Sequence, residues 1–140
     1  MVVALSGAKL KARDVKRLME INSIQKALEV YLIANGQYPG NTDNDCGGWD
    51  TGNQDDPTFI QQLGSNIPVD PTGTGTCTGY RYYRYAAGTS GCSAERGAFY
   101  VLQIVDMESS GSPYPGSPGW SCPSRNWSTG VDWVVGKFEN

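Results

Sequence analysis

The sequence predicts an α+β domain in which a long N-terminal amphipathic helix packs on a small antiparallel sheet of about three to four strands, with long disulfide-bearing loops. Three observations lead to this prediction. Residues 5–35 contain no proline and only one glycine, Gly7. The clearest strand-forming segments, rich in aromatic and β-branched residues, follow residue 79. Four cysteines are scattered through the loop-rich remainder. A chain of 140 residues is expected to form one domain, over residues 1–140.

The helix is predicted over residues 1–36. Its apolar residues follow the i, i+3, i+4, i+7 spacing of one helical face: Leu18, Ile21, Ile24, Leu28, Tyr31 and Leu32. Asn35-Gly36 is a typical C-terminal stop, and Pro39 prevents continuation. Residues 5–35 alone would make a helix about 46 Å long, whereas the rest of the domain would be about 30 Å across. We therefore expect its polar, basic N-terminal half to protrude, while its C-terminal half packs on the domain.

A second apolar stripe runs along the same helix, about a third of a turn from the first. It consists of Val15, Met19, Val30 and Ile33. A helix that packs only on its own domain needs one apolar stripe. The second stripe leaves two interpretations open, burial within the same domain or contact with another copy of the chain.

Residues 37–140 are predicted to form the loop and sheet region. Three segments, 80–88, 98–106 and 131–138, have the residue types and the partial alternation of strands. Residues 40–57 and 107–127 are predicted loops. At the end of the first loop a short helix is predicted to begin at Pro57, capped by Asp56. A three-stranded sheet has an apolar face that needs a cover, which the helix would supply.

The cysteines predict two disulfides. No pair has the C-x-x-C spacing of a zinc site, and an even number in loop-rich sequence is typical of proteins in an oxidising, extracytoplasmic compartment. Three pairings are possible, and free buried thiols are the alternative. Proximity along the chain favours Cys46–Cys77 with Cys92–Cys122.

The net charge of -3 is unevenly distributed. Residues 1–20 have five basic and two acidic side chains, a charge of +3, so the remaining 120 residues have a charge of -6. The basic residues are Lys9, Lys11, Arg13, Lys16 and Arg17. This asymmetry favours contact with a membrane surface or an acidic partner, and a solvated helix face is the alternative. The first five residues, MVVAL, are too few to span a bilayer, and we expect them to be the end of a longer hydrophobic segment.

Catalytic chemistry finds no support in the sequence. The chain has no histidine, so it cannot build a Ser-His-Asp or Cys-His set. It has no phosphate-binding glycine motif, and its sequence identifies no pair of carboxylates for acid–base catalysis. We predict that the protein is not an enzyme, has no catalytic residues and uses no cofactor.

Two groups of residues are candidates for ligand binding. Asp43, Asp45, Asp50, Asp55 and Asp56 could bind calcium, but their spacing lacks the EF-hand pattern. Asp106 and Glu108 form a weaker candidate of the same kind. We therefore favour solvated turns and predict no metal site.

The second group comprises the four tryptophans, Trp49, Trp120, Trp127 and Trp133, and the YRYYRY run, which could stack on sugars or single-stranded nucleic acid. Core packing is favoured, and no nucleic-acid partner is expected, because the domain is acidic.

The helix segment KARDVKRLMEINSIQKALEVYLIANGQYP resembles the conserved helix of type IV pilins and of type II secretion pseudopilins, especially the major, G-type pseudopilin. The later IPVDP, followed by YRYYRY, is similar to the turn before the first strand in that family. The helix and its C-terminal stop match closely, and the rest of the chain matches in layout only.

This resemblance implies a pilin-like fold and a structural subunit of an extracytoplasmic helical filament, either a type IV pilus or a type II secretion pseudopilus. Such subunits polymerise through the N-terminal helix from an inner-membrane-anchored precursor, and the filament is extracellular or periplasmic. The implied partners are copies of the chain, other pilins or pseudopilins, the assembly platform, and the membrane through an N-terminal hydrophobic segment. The second stripe would contact neighbouring helices, and the five basic residues would lie near the membrane boundary.

The sequence also departs from the family. G-type pseudopilins often bind calcium through aspartates near the C-terminus, but the corresponding segment, SSGSPYPGSPGWSCPSRNW, has no acidic residue. The family's calcium site therefore does not carry over to this segment. The resemblance also does not distinguish a pilus subunit from a pseudopilus subunit. The alternative function is a minor pilin or adhesin-like module that recognises a surface, sugar or DNA through Trp/Tyr-rich loops.

Overall fold

The computed structural model describes residues 2–41 and 43–140 and shows an α+β architecture with one N-terminal helix on a four-stranded antiparallel sheet. Helix α1 spans Val2–Asn35. The strands are β1 (Asp50–Gly52), β2 (Tyr80–Tyr85), β3 (Phe99–Ile104), β4 (Ser121–Cys122), β5 (Arg125–Asn126) and β6 (Trp133–Phe138). The sheet order is β1-β2-β3-β6, and β4 and β5 form a separate hairpin. Single 3₁₀ turns occur at Gln61–Leu63, Thr89–Gly91 and Ala94–Arg96.

The three predicted strands are confirmed as β2, β3 and β6, each shorter than predicted. All neighbouring strands are antiparallel; Tyr82 pairs with Leu102, which in turn pairs with Val135. The sequence missed β1, which lies in a predicted loop, and it missed the β4–β5 hairpin. Strand β1 has three residues and follows a pair of glycines, so no alternation marks it.

Helix α1 ends where the sequence predicted. Gly36 adopts a left-handed conformation with φ 77°, and its amide donates to the carbonyl of Leu32 at 2.7 Å. A side chain at this position would be strained, which explains the glycine. The chain then turns, and Tyr38 and Pro39 are buried under the sheet end.

The two faces of the sheet carry separate cores. Side chains of even-numbered residues in β2 and β3, and of odd-numbered residues in β6, face α1, and the alternate side chains face away. The helix side buries aliphatic residues of α1 against a tyrosine-rich surface that includes Tyr80, Tyr82 and Tyr100. The far side buries Phe99 and Val101 beneath Trp127 and the loops around the β4–β5 hairpin. The molecule is therefore three layers thick, helix, sheet and a covering of loops.

The prediction of a short helix that begins at Pro57 is wrong. Only Gln61–Leu63 makes a 3₁₀ turn, and Phe59 and Ile60 before it are buried. The amide of Ile60 donates to Asp50 Oδ2 at 2.6 Å, and Ile60 has a positive φ of 46°. Tertiary packing therefore overrides the local helix signals here.

The apolar face of α1 packs on the sheet as predicted, because Ile21, Ile24 and Leu28 are fully buried. Leu18 and Leu32 pack at its margins. The buried face, however, continues towards the N-terminus into two charged residues, Asp14 and Arg17. The protruding part of the helix is consequently shorter than predicted. It comprises residues before Arg13, whose described side chains are exposed or half-buried.

Arg17 lies at the centre of a buried ion cluster. Its guanidinium donates to Asp70 at 3.1 and 3.2 Å, to Asp14 Oδ1 at 2.9 Å and to Glu108 Oε2 at 2.6 Å. It also donates to the hydroxyl of Thr72 at 2.6 Å. All five guanidinium hydrogens therefore have acceptors. The cluster joins α1 to two distant segments, the turn at Asp70 and the loop that follows β3.

Asp14 and Arg13 complete the junction with the second loop. The Asp14 carboxylate accepts the amides of Glu108 and Ser109 and the Ser109 hydroxyl. Arg13 makes a bidentate pair with Glu108, with both contacts at 2.7 Å. Five charged side chains thus alternate in sign across one interface, an arrangement that compensates the desolvation of Arg17.

These contacts shift the acid–base equilibria of the cluster. Hydrogen bonds from Arg13, opposed by partial burial and reinforced by Arg17, lower the pKa of Glu108. Burial alone would raise the pKa of Asp14, but the Ser109 and Glu108 hydrogen bonds outweigh it, and the pKa of Asp14 is lowered. Burial likewise opposes the charge on Arg17, yet Asp70 and Glu108 raise the pKa of the guanidinium. Each group is therefore most stable in its charged form.

We expect Arg17→Met to lower the free energy of unfolding by about 3–5 kcal/mol, because it leaves the Asp14 and Asp70 carboxylates buried without their cation. Urea denaturation followed by tryptophan fluorescence measures this. Lys11→Met is the matched control, since Lys11 is exposed on the same helix, and it should change stability by less than about 0.5 kcal/mol. Equal stability of the two variants would contradict a structural role for the cluster.

We expect Glu108→Gln to destabilise the protein by about 1–3 kcal/mol at neutral pH and to have little effect at acid pH. Because folding lowers the pKa of Glu108, the stabilisation from its carboxylate is complete above the unfolded pKa. It disappears as pH falls through the folded pKa. Urea titrations at pH 7 and at about pH 3 compare the variant with the original chain. Glu95→Gln, at an exposed position, is the control. A Glu108→Gln deficit that does not shrink as the pH falls would contradict the ionic explanation.

Candidate functional site

The second stripe of α1 is exposed along its whole length. Val15, Met19, Val30 and Ile33 retain 55%, 66%, 67% and 85% of their accessible surface. Burial within the same domain, one of the two interpretations of the sequence, is therefore excluded for all four residues. They form an apolar stripe on a helix whose other face is already packed.

The stripe lies opposite the packed face of α1, so the predicted separation of about a third of a turn is wrong. Val15 and Ile33 are separated by 18 residues, about five helical turns, and so point in the same direction. Ile24 lies midway, about two and a half turns from each, and is fully buried. The four residues therefore form a line about 27 Å long that faces directly away from the sheet.

A shallow groove runs beside the N-terminal half of the stripe. It has a volume of about 700 Å³ and lies between α1 and the segment that precedes Asp70. Val15, Met19 and Ala12 contribute from the helix, and Asn66 and Pro68 from the opposite wall. The groove makes this end of the stripe concave, which increases the apolar area that a partner could cover.

The five basic residues do not share one environment. Lys9, Lys11 and Lys16 are exposed, and Lys16 makes only a 3.8 Å ion pair with Glu20. Arg17 is buried, and Arg13 is half-buried against Glu108. The charges of Arg13 and Arg17 are thus paired inside the domain, and the location of the five residues near a membrane boundary stays a prediction. The signal for the burial of Arg17 was present in the sequence, since Arg17 continues the spacing of Ile21 and Ile24 on the apolar face.

Three aspartates converge in the loop after α1. Oxygen atoms of Asp43, Asp45 and Asp50 lie within 4.8 Å of one another. Strand β1 places Asp50 opposite Tyr82, and a short bridge between Cys46 and Trp49 folds the loop back on itself. The Asp45 carboxylate accepts the amide of Thr51 at 3.2 Å. The interpretation as solvated turns is wrong for Asp50, which is only 6% exposed.

The carboxylate of Asp50 lies in an unfavourable environment. Burial, together with the nearby charges of Asp43, Asp45 and Asp56, raises its pKa to about 7, and the Ile60 amide only partly opposes the effect. Burial also raises the pKa of Asp45. Asp43 Oδ2 and Asp50 Oδ1 are buried and have no hydrogen-bond partner among the described residues. The other acidic candidate, Asp106 with Glu108, is not assembled as a site, because Glu108 pairs with Arg13 and Arg17.

All four cysteines form disulfides, and the pairing favoured by chain proximity is confirmed. Cys46–Cys77 connects the acidic loop to the segment before β2. Cys92–Cys122 connects the β2–β3 connection to the loops on the far face of the sheet. Two such bonds indicate an oxidising, extracytoplasmic environment.

The aromatic residues are divided between the two cores of the sheet. Trp127 and Trp133 are buried, the latter on the helix side of the sheet. Trp120 packs so closely on β6 that a Cβ at Gly136 would lie 2.4 Å from its ring. Trp49 and Tyr83, with centroids 5.6 Å apart, are half-buried near Arg81. The four tryptophans thus do not form a common stacking surface, which agrees with their interpretation as packing residues.

In the part of the chain that the structure describes, no helix combines the length and the apolar composition needed to cross a membrane. Met1 and the side chains of residues 2–5, part of the predicted hydrophobic segment, lie outside the described residues. Comparisons with known protein families, curated proteins and solved structures found no match to the chain.

Proposed function

We propose that this protein is a structural subunit of an extracytoplasmic helical filament of the type IV pilin or pseudopilin kind, and that it assembles through α1. One observation carries the proposal: four exposed apolar side chains lie in line along the helix, directly opposite its packed face. A helix has two such apolar faces when it packs on its own domain with one face and contacts a neighbouring subunit with the other.

The alignment of these residues matters more than their exposure. Single exposed hydrophobic residues are common on soluble proteins and need no explanation. Here Val15 and Met19 border a groove, and Val30 and Ile33 continue the same line towards the end of the helix. Each such side chain contributes about 1.5–3 kcal/mol when fully buried. A repeating helix–helix contact along the stripe would therefore give substantial stability to each interface.

The charge distribution suits contacts between unlike surfaces of successive subunits. Lys9, Lys11 and Lys16 are exposed on α1, whereas residues 21–140 have a net charge of -6. A head-to-tail arrangement, in which the helix of one subunit meets the acidic domain of another, places opposite charges together and generates an open helical assembly. Exposed lysines near the start of the helix would also favour an anionic lipid surface before assembly.

The architecture is consistent with this role. A long helix on an antiparallel sheet, with disulfide-linked loops, has the layout that the helix motif and the IPVDP turn imply for a pilin-like fold. The Asp70 of that turn binds Arg17 of the helix, so the two segments that carry the resemblance are in direct contact. We propose that the Asp70 turn positions the helix rather than a ligand. We propose a structural function without catalysis or cofactor.

We expect Met19→Glu and Ile33→Glu, each in the full-length precursor expressed in its host, to abolish filaments. A carboxylate in the stripe would be buried at each subunit contact without a partner, which is strongly unfavourable. Electron microscopy of cell-surface or sheared material measures filament number. Circular dichroism of the corresponding soluble domains should show native folds, because both side chains are exposed in the monomer.

Thr129→Glu provides the matched control, since it introduces the same charge at an exposed position in the loops on the far face. It should leave filament number unchanged. Normal filaments in both stripe variants would refute assembly through this surface. Loss of filaments in the control as well would show that added charge, rather than its place on α1, is responsible.

A further inference from the structure

We propose that the loop after α1 contains a binding site for a hard divalent cation, best suited to calcium, formed by Asp43, Asp45 and Asp50. Nothing in the filament proposal requires this site, and the argument for it rests on different residues. It also lies far along the chain from the C-terminal segment that corresponds to the calcium-binding loop of G-type pseudopilins.

The spacing of the carboxylates matches what one cation can hold. One oxygen from each aspartate lies within 4.8 Å of the other two. Calcium binds oxygen ligands at about 2.3–2.6 Å, so two oxygens on opposite sides of one ion are at most about 5 Å apart. A single ion placed among the three can therefore reach all of them without rearrangement of the backbone.

The second observation is a buried oxygen that lacks any partner. Asp50 is 94% buried, because its exposed fraction is 6%. Its Oδ2 accepts the Ile60 amide at 2.6 Å, but its Oδ1 is buried without a hydrogen bond among the described residues. Asp43 Oδ2 is in the same condition. Since an unpaired buried carboxylate oxygen is costly, two of them within one cluster indicate a missing ligand.

The missing ligand should be a cation. The charged groups that act most strongly on Asp50 are the carboxylates of Asp43, Asp45 and Asp56, all acidic. No ion pair among the described residues brings a lysine or arginine to these three aspartates. The loop therefore concentrates negative charge in a place where the protein supplies no compensating side chain.

The ligand atoms select the type of metal. Carboxylate oxygens are the ligands of calcium and magnesium, whereas zinc and copper favour histidine and cysteine. The chain has no histidine, and its cysteines are all in disulfides. Calcium accepts six to eight ligands in irregular geometry, and magnesium requires a near-ideal octahedron. A loop with three carboxylates at uneven burial suits calcium better, with water and backbone oxygens in the remaining positions.

The surrounding structure holds the three residues in place. The Cys46–Cys77 disulfide anchors the loop between Asp45 and Asp50, and β1 fixes Asp50 by its pairing with β2. The Thr51 amide orients the Asp45 carboxylate. Such preorganisation reduces the entropy lost on binding. The bound ion would then lock the connection between α1 and the sheet.

The test is thermal unfolding of the chelator-treated protein with its disulfides intact, in calcium, in magnesium and in sodium chloride of matched ionic strength. With the affinity typical of extracellular calcium modules, about 10 mM calcium should raise Tm by about 5 °C or more. Magnesium should give a smaller rise. Asp50→Asn and Asp43→Asn should each abolish most of the calcium effect, and Asp106→Asn, at an exposed position outside the cluster, should retain it.

Asp50→Asn keeps an oxygen that can accept the Ile60 amide and removes a buried charge, so we expect it to fold. Asp43→Asn provides an independent variant at a position that is less buried. The absence of any calcium-specific rise in Tm would overturn the proposal. An equal rise in the Asp50, Asp43 and Asp106 variants would show that calcium acts elsewhere on the protein. Filament assays do not enter this test, so its outcome is independent of the proposed function.

Discussion

The position of the helix depends on the buried guanidinium of Arg17. Hydrophobic contact is non-directional. The packing of an apolar stripe on a tyrosine-rich sheet therefore does not define how far a helix is rotated about its axis or shifted along it. Arg17 adds direction, since its hydrogens reach Asp70, Asp14 and Glu108 in three separate directions. We infer that this cluster contributes specificity more than net stability, in accord with the desolvation cost of buried ion pairs. Because the Arg17 cluster holds the packed face of α1 against the domain, the exposed stripe on the opposite face points away from the sheet.

The sequence predicted those elements whose signals are local. The helix, its stop at Gly36 and strands β2, β3 and β6 each follow from the periodicity and turn residues of a single segment. Strand β1 was missed because only its pairing with β2 makes it a strand. The segment from Pro57 was wrongly assigned to a helix, since its conformation is set by Asp50 and by the burial of Phe59. Contacts between residues distant in sequence have no counterpart in a local pattern.

In the candidate sites, too, local patterns were predictable from the sequence and contacts between distant residues were not. The residues of the apolar stripe were identified from their spacing, and their exposure agrees with one of the two interpretations left open. Their direction was misplaced in the prediction, although a rotation of about 100° per residue places Ile24 opposite Val15 and Ile33 from the residue numbers alone. The acidic loop was judged against a linear calcium motif. Its aspartates converge instead through a disulfide, a short bridge and a three-residue strand, none of which has a sequence signature that fixes distances.

The two acidic clusters in this fold differ in one respect that separates a structural role from a binding role. Around Arg17, three carboxylates surround cations that the chain itself provides, and every oxygen of Asp14 and Asp70 accepts a hydrogen bond. In the loop after α1, three carboxylates converge without a cation, and two of their oxygens are unpartnered. Identical residue types therefore have opposite consequences, because the carboxylates of the first cluster are paired with arginines of the domain and those of the second are not. A divalent ion in the second cluster would supply the positive charge that its three carboxylates lack. It would also reduce the negative charge that the domain presents to the basic helix of a neighbouring subunit.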